Sequence, residues 1–176
     1  MHIIVDGYNL IRQSDALRRH ERSSLEEGRR ALVRSLAEYR KLRGHRITVV
    51  FDGWEGGSPT EERDRAGGVE IIYSRLGEKA DEVIKRLVAA GSEEILVVTS
   101  DREIVTFAAR RGKTSIASLA FAERIERAAA GPLSDAAAPE EPQEEEDDRH
   151  AAAKKKGPAR RLSKQKRNSL ARIRKL

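Results

Sequence analysis

Acidic side chains in this chain fall where the strands of a parallel sheet would end. Asp6 follows His2-Ile3-Ile4-Val5, Asp52 follows Ile47-Thr48-Val49-Val50-Phe51, and Thr99-Ser100-Asp101-Arg102 follows Ile95-Leu96-Val97-Val98. A further pair, Asp81-Glu82, opens the helical stretch before the last of these runs. In an open parallel sheet, ligands bind beyond the carboxyl ends of the strands. Carboxylates arriving there from separate segments form the donor set of a hard divalent cation. With no cysteine and no histidine pair nearby, the set suits Mg2+ or Mn2+ and suits zinc poorly. Crowded carboxylates repel one another unless a cation neutralises them. A divalent cation held there can bind a phosphate oxygen, lower the pKa of water and steady a leaving oxygen. That is equipment for phosphodiester hydrolysis without a covalent nucleophile.

Each of these residues also has a structural reading. Asp6-Gly7 and Asp52-Gly53 read as turns, for which Asp-Gly is a strong signal. Asp81 reads as a helix-start acid favoured by the macrodipole. Ser100-Asp101-Arg102-Glu103 matches a capping box with Ser100 as the cap and Glu103 reaching back, which leaves Asp101 free in the first turn. Asn9 is either a turn residue or a polar group that orients water at the metal. Trp54, the only tryptophan, lies in Gly53-Trp54-Glu55-Gly56-Gly57 and either stacks on a base or anchors its loop. Tyr8 has the same two readings. His2, His20, His45 and His150 are scattered and read as structural or surface residues. The turn and cap readings leave one thing unexplained, namely why these strand ends all carry an acid.

The elements that must position the acids are legible as alternating patterns. Besides the three runs above, Val69-Glu70-Ile71-Ile72-Tyr73 reads as a strand and Thr114-Ser115-Ile116-Ala117 as a weaker one. Most are continuous apolar runs, as expected for strands covered on both faces. Helical periodicity runs from Leu25 to Leu42, with Ser24 and Glu27 as a capping box. It recurs from Ala80 to Ala90, from Asp101 to Arg111 and from Ala120 to Ala130, with Gly91, Gly112 and Gly131 as stops. Strand and helix thus alternate across residues 2–130, which implies an open α/β sheet with helices on both sides.

Composition bounds the rest. The chain has 176 residues, 38% of them hydrophobic and 36% charged, too polar for one fully packed domain of that length. No internal repeat is evident. No window approaches 18 uninterrupted apolar residues and no basic-then-apolar leader opens the chain, so neither a membrane span nor a secretory signal is expected. The absence of cysteine excludes a disulfide framework and a thiol nucleophile and fits a cytoplasmic location.

The net charge of +6 is unevenly spread. Residues 1–131 hold 23 Lys/Arg against 21 Asp/Glu, and residues 132–150 hold one Arg against eight acids. Residues 151–176 hold eleven Lys/Arg and no acid, so the basic character belongs to the tail. We therefore expect a folded domain over 1–131, a disordered Ala/Pro-rich acidic linker over 132–158 and a basic tail over 159–176 that becomes helical on binding. Lys154, Lys155, Lys156, Arg160 and Arg161 are candidate RNA contacts. If about eight tail cations touched single-stranded RNA, log K would fall with log salt at a slope of roughly −6. The acidic stretch next door could pair with the tail when RNA is absent. A solubilising extension is the bland alternative, and a membrane-surface helix is disfavoured because the tail has no Trp or Phe.

The motifs Ile4-Val5-Asp6-Gly7-Tyr8-Asn9-Leu10-Ile11, Val50-Phe51-Asp52-Gly53, Gly77-Glu78-Lys79-Ala80-Asp81-Glu82-Val83-Ile84 and Val97-Val98-Thr99-Ser100-Asp101-Arg102 resemble, in order and spacing, the YacP-type NYN domain family of the PIN-like nuclease superfamily. The resemblance spans residues 1–130 and leaves 132–176 uncovered. It implies a three-layer α/β/α PIN-like fold with a mostly parallel central sheet and metal-dependent endoribonuclease activity. It also implies that Asp6 is a metal ligand with Asn9 beside it, and that Asp81 and Asp101 are further ligands. Asp52 matches a family position that can serve as a ligand. Products in the wider superfamily are typically a 5′-phosphate and a 3′-hydroxyl, and some relatives are linked to ribosomes.

These readings converge on a metal-dependent endoribonuclease acting on single-stranded RNA. Asp6, Asp81 and Asp101 would hold Mg2+ or Mn2+, with Asp52 or Glu82 in support. Asn9 and Ser100 would orient water or a liganding carboxylate, and Arg102 would touch the scissile phosphate. A non-catalytic RNA- or ribosome-binding protein is the second class. A phosphoacceptor receiver domain built on Asp52, with Thr99 or Ser100 and Lys113 assisting, is the third, and it lacks the acidic pair that such domains need after the first strand. No segment forces a particular oligomeric state.

Overall fold

In a computed structural model of the chain, the continuous apolar runs are strands that divide their side chains between two cores. The structure describes residues 1–53, 58–91, 93–131, 164–174 and 176. Trp54, the linker 132–158 and the tail cations Lys154, Lys155, Lys156, Arg160 and Arg161 lie outside the described residues. Along β1 (His2–Asp6), Ile3 and Val5 enter one core while Ile4 enters the other. The same division places Val49 and Phe51 of β2 (Arg46–Phe51) opposite Val50. In β4 (Val69–Tyr73) it sets Ile71 against Ile72, and in β5 (Ile95–Val98) Leu96 against Val97. Strands buried on both faces cannot alternate with polar residues, hence the unbroken runs.

One core lies under α1 (Gly7–Gln13), α2 (Asp15–Ser23), α3 (Leu25–Arg43) and α6 (Ser118–Ala130). The other lies under α4 (Ala80–Ala90) and α5 (Arg102–Arg110). Helices thus cover both faces of a six-stranded sheet ordered β3-β4-β2-β1-β5-β6, where β3 is Glu62–Ala66 and β6 is Thr114–Ile116. Neighbouring strands run parallel except for β3 against β4. The three-layer α/β/α architecture is as expected. From β1 the chain builds outward through β2 to β4, then returns to place β5 on the other side of β1. The reversal puts a topological switch point between β1 and β5, above Asp6 and Thr99.

Three elements lie outside the periodicity reading. α2 buries a single residue, Leu17, so it carries little apolar signal, although Ser14 caps it by accepting from Leu17 N–H at 3.4 Å. α1 is short and follows the first strand with no intervening loop. β3 reads Glu-Arg-Asp-Arg-Ala and is exposed throughout. It is a strand because it is the antiparallel edge partner of β4, folded back through Gly67 and Gly68 at φ of 58° and 80°. Charged edge strands of this kind resist pairing with another chain.

The end of the basic tail is already folded. α7 (Lys164–Ile173) packs beside β6, and Ile173 and Leu176 join the core beneath α3 and α6. The Tyr39 hydroxyl donates to the Leu176 backbone oxygen at 2.6 Å, and both residues are buried. Arg172 donates to Gly112 O at 3.3 Å and to Thr114 Oγ1 at 3.2 Å, and pairs with Glu94 at 3.2 Å. A helix expected to form on binding is therefore docked on its own domain, because two apolar side chains complete that core.

Candidate active site

Asp6 is both the last residue of β1 and the N-cap of α1. Its Oδ1 accepts from Asn9 N–H at 3.2 Å, and its Oδ2 accepts from the Thr99 hydroxyl at 3.0 Å. The carboxylate is thus pinned across the switch point by the segment that leaves β5. Thr99 Oγ1 in turn accepts from Asp101 N–H at 3.1 Å. Asp101 is the N-cap of α5, with Oδ1 accepting from Glu103 N–H at 2.7 Å and from Ile104 N–H at 3.4 Å. This corrects the capping-box reading, in which Ser100 was the cap. Ser100 instead accepts from Ser118 N–H at 3.2 Å, one link between the α5 and α6 starts.

Asn9 makes the other link. Its Oδ1 accepts from Ser100 N–H at 3.0 Å and from the Ser118 hydroxyl at 2.7 Å. Through its side-chain oxygen, Asn9 ties α1 to the loop after β5 and to α6. Asp52 does the corresponding work for α4. The N-cap of that helix, Lys79, makes no side-chain cap bond, and Asp52 Oδ1 accepts from Ala80 N–H at 2.6 Å instead. Asp52 thereby fixes the first turn of α4, where Asp81 sits.

Both Asp-Gly pairs owe their glycines to close packing, since neither Gly7 nor Gly53 has positive φ. A Cβ on Gly7 would lie 2.3 Å from the Phe51 ring, and one on Gly53 would lie 2.1 Å from the Ser74 carbonyl oxygen. The Ser74 hydroxyl donates to Glu78 O at 2.6 Å and accepts from Gly53 N–H at 2.8 Å, which braces the loop before α4 against the end of β2. The turn reading of these pairs is therefore replaced by one of packing.

The electrostatics gather the four aspartates into one field. Burial pushes the Asp6 carboxyl up to about 6, against its Asn9 and Thr99 bonds, and the charges of Asp81 and Asp52 add to the rise. Burial also raises Asp81, and Asp101, Asp52 and Glu103 raise it further while Lys85 opposes them. Lys85 is the cation of this cluster, bonded to Glu82 at 3.1 Å and to Glu103, and these bonds push its ammonium up to about 12. Glu82 is thus committed to Lys85. Arg102, the first residue of α5, is exposed and its side chain bonds no described residue.

A divalent cation fits the chemistry of this donor set, all hard oxygens with unneutralised charge. Oδ2 of Asp52 and of Asp101 accepts no hydrogen bond from a described residue. Among the described residues, however, no three Asp, Glu or His side chains are gathered tightly enough to grip one ion unaided. Mg2+ keeps several waters and is commonly held by one or two carboxylates plus substrate phosphate, so the looser spacing suits it. Sequence reasoning missed Ser74, Lys85 and Ser118, and gave Thr99 a role only in the receiver-domain alternative. Thr99 and Ser118 lie next to motif residues, but a hydroxyl aimed at a carboxylate across a sheet leaves no periodic signal. Among the described residues no helix is long and apolar enough to cross a membrane.

The chain matches the YacP-like NYN domain over residues 3–175, so the match extends through the tail that the motif resemblance left uncovered. The YacP protein of Bacillus subtilis is 36% identical over 104 residues, covering 56% of this chain and 59% of that protein. The aligned region therefore spans less than two thirds of this curated relative. Two crystal structures of Rae1 (YacP) from Bacillus subtilis are 32% identical with a TM-score of 0.59. One, a tryptophan-to-leucine mutant, is matched over 72% of this chain and 77% of its own, and the other over 74% and 78%.

Proposed function

The chain belongs to the YacP-like NYN domain family, and from that premise we propose that it is a metal-dependent endoribonuclease acting on single-stranded RNA. The family is part of the PIN-like nuclease superfamily, which supports nuclease chemistry in general. The observation that carries the finer reading is the Asp6 carboxylate. It is buried at the switch point, oriented by Thr99 and Asn9 whose bonds favour its charge, and burdened by burial and by the charges of Asp81 and Asp52. Each oxygen of Asp6 has one neutral donor, and no cation is among the groups that shift it, so a bound divalent cation would supply the missing counter-charge.

Asp6, Asp81 and Asp101 would hold Mg2+ or Mn2+, with Asp52 in support. The cation, when bound, supplies charge neutralisation and Lewis-acid stabilisation of the phosphodiester. The chain's own residues do the positioning. Thr99 and Asn9 fix both oxygens of Asp6, Asp52 sets the first turn of α4 and so the height of Asp81, and the α5 cap sets Asp101. Arg102 is free to meet the scissile phosphate. Asn9 and Ser100 act through the segments they join. We extend the proposal to RNA presented on ribosomes as one setting for the cut, in the cytoplasm.

A second reading is favoured by the capping roles: Asp6, Asp52 and Asp101 each satisfy a helix start, which a non-catalytic RNA- or ribosome-binding protein would also require. Cleavage of labelled single-stranded RNA in Mn2+, Mg2+ or EDTA separates the two. Loss of cutting in EDTA, and a fall of about two to three orders of magnitude in Asp6→Asn and Asp101→Asn, is expected from removal of preorganised charge. RNA binding without cutting, on free RNA and on translating ribosomes alike, would leave the second reading in place.

A further inference from the structure

Two grooves open beside the acids, and they differ in charge. One, a cavity of about 760 Å3, runs from Gly53 and Ser74 between α3 and the β3–β4 hairpin. Its cations Arg29, Arg30 and Arg34 are matched by Glu26, Glu62 and Asp64. Arg30 is bonded to Glu26, and Arg29 lies over the Tyr73 ring at 5.5 Å. The other groove follows the α4–α5 face as two hollows that share Lys85 and Phe107. Its cations are Arg75, Lys79, Lys85, Arg86, Arg102 and Arg110, against Glu78, Glu82 and Glu103. Only this second groove has a surplus of positive charge.

Pairing sharpens the contrast. Arg75 and Arg86 hold Glu78, Arg86 also pairs with Glu61, and Lys85 is shared between Glu82 and Glu103, so each of the groove's glutamates has a cationic partner. The side chains of Lys79, Arg102 and Arg110 are exposed and bond no described residue. Lys79 stands immediately before α4, two positions from Asp81, and Arg102 directly follows Asp101. Arg110 ends α5, about 12 Å from Arg102 along the helix axis at 1.5 Å per residue. Phe107 lies between them, half-buried, with the Arg111 guanidinium 5.0 Å from its ring centre. Cations that bond no described residue, lining two hollows that share an aromatic ring, are what a single strand needs, phosphates on the one and a base on the other.

We propose that the RNA strand leaves the acids along the α4–α5 groove, with Lys79, Arg102 and Arg110 on its phosphates and Phe107 under a base. The proposal rests on the endoribonuclease reading and deepens it by choosing one of two grooves. The test is fluorescence anisotropy of the full chain with a labelled oligouridylate, in EDTA so that nothing is cut, across a salt series. Lys79→Ala/Arg110→Ala weakens binding about tenfold and lowers the slope of log K against log salt by about 1.4, the amount for two lost contacts to a single strand. Phe107→Leu, which keeps an apolar side chain but removes the π face, weakens binding with the slope unchanged. Arg29→Ala/Arg34→Ala removes the same charge from the other groove and keeps the wild-type slope. Thermal melts of each variant establish that the fold persists. A larger loss in the Arg29/Arg34 variant, or wild-type binding by the Lys79/Arg110 variant, overturns the proposal. A chain that binds in the predicted pattern yet cuts no RNA keeps the groove and removes the nuclease reading. A chain whose Lys79/Arg110 variant cuts with unchanged KM and binds like wild type does the reverse.

Discussion

The two ends of the central sheet treat charge in opposite ways. At the amino end, His2, Arg46, Thr48, Glu70 and Glu93 form a closed network. His2 Nε2 lies within hydrogen-bond distance of Thr48 Oγ1 at 2.8 Å, and Thr48 donates to Glu70 at 2.9 Å. Arg46 bonds Glu70 at 3.3 Å and Glu93 at 3.2 Å, and Glu93 lies 3.2 Å from His2 Nδ1. Burial disfavours ionised Glu70, but its bonds to Thr48 and Arg46 outweigh that and hold it below the usual carboxylate range. Burial likewise holds His2 below the usual imidazole range. At the carboxyl end, four aspartates share a field with Lys85 as their cation, and Asp6 and Asp81 are raised. One end spends its polar groups on each other. The other keeps its charge unsatisfied, which is the arrangement a cation and a phosphodiester require.

The largest way to break that comparison is to titrate both ends without metal. Asp6 is raised from 3.8 to about 6 in the folded chain, so the folded state binds its proton more tightly than the unfolded state does. The stability it contributes is complete below about pH 4 and is lost as pH rises towards 6, on the order of 3 kcal/mol for a shift of about two units. Glu70 is lowered on folding, so its contribution is present above its unfolded pKa and lost as pH falls through its folded value. Urea melts in EDTA should therefore show Asp6→Asn more stable than wild type at pH 7 by up to about 3 kcal/mol, with the advantage gone near pH 4. Glu70→Gln should be less stable at pH 7 and converge on wild type in acid. An Asp6→Asn variant that is destabilised at pH 7 in EDTA would make Asp6 a structural cap. Saturating Mg2+ or Mn2+ should stabilise wild type more than Asp6→Asn.

A smaller effect tests how packing serves the charged end. The Gly53 Cβ position is blocked by a backbone oxygen rather than by a movable side chain. Gly53→Ala must therefore separate the end of β2 from Ser74, at a cost of about 1–3 kcal/mol as in other overpacked sites. The same shift draws Asp52 from Ala80 N–H and moves the first turn of α4, so cleavage should fall further than stability alone explains. Denaturation and kcat/KM measured on the one variant check this. Wild-type cleavage in a destabilised Gly53→Ala would separate Asp52 from the placement of Asp81.

What the sequence disclosed follows from the same contrast. The strands were legible because Ile3-Ile4-Val5 and Ile95-Leu96-Val97-Val98 are apolar on both faces, and helices packed on a sheet keep their period. The acids were legible because they stand at the ends of those runs. β3 was hidden, since Glu-Arg-Asp-Arg-Ala is a strand only by virtue of pairing with β4. α2 was hidden because one buried leucine makes no stripe. At the site, Asp-Gly reads as a turn from sequence, whereas the structure requires glycine against Phe51 and the Ser74 carbonyl. Which of Ser100 and Asp101 caps α5 depends on where the helix begins, a difference of one residue that spacing alone does not resolve.

The smallest effect concerns the tail, whose docked end belongs to the amino end of the sheet. Arg172 meets Glu94, which precedes β5, and Thr114, the first residue of β6, while Leu176 reaches Tyr39 near the end of α3. These contacts lie across the sheet from Asp6 and Asp101, the last position of β1 and the cap of α5. Tyr39→Phe removes the hydroxyl and leaves a ring of the same shape against Phe121. The lost bond to Leu176 should cost about 1 kcal/mol, a fall in Tm of about 2–4 °C for a chain of this size. Cleavage of a short RNA should be unchanged, because the ring keeps its place against Phe121 of α6 and the lost bond is to Leu176, not to the Ser118–Asn9 link that reaches Asp6. A variant that melts like wild type would mean that α7 adds no stability and is held by something other than this contact. One that keeps its Tm but loses cleavage would connect the two ends of the sheet, and the division of labour between them would have to be abandoned.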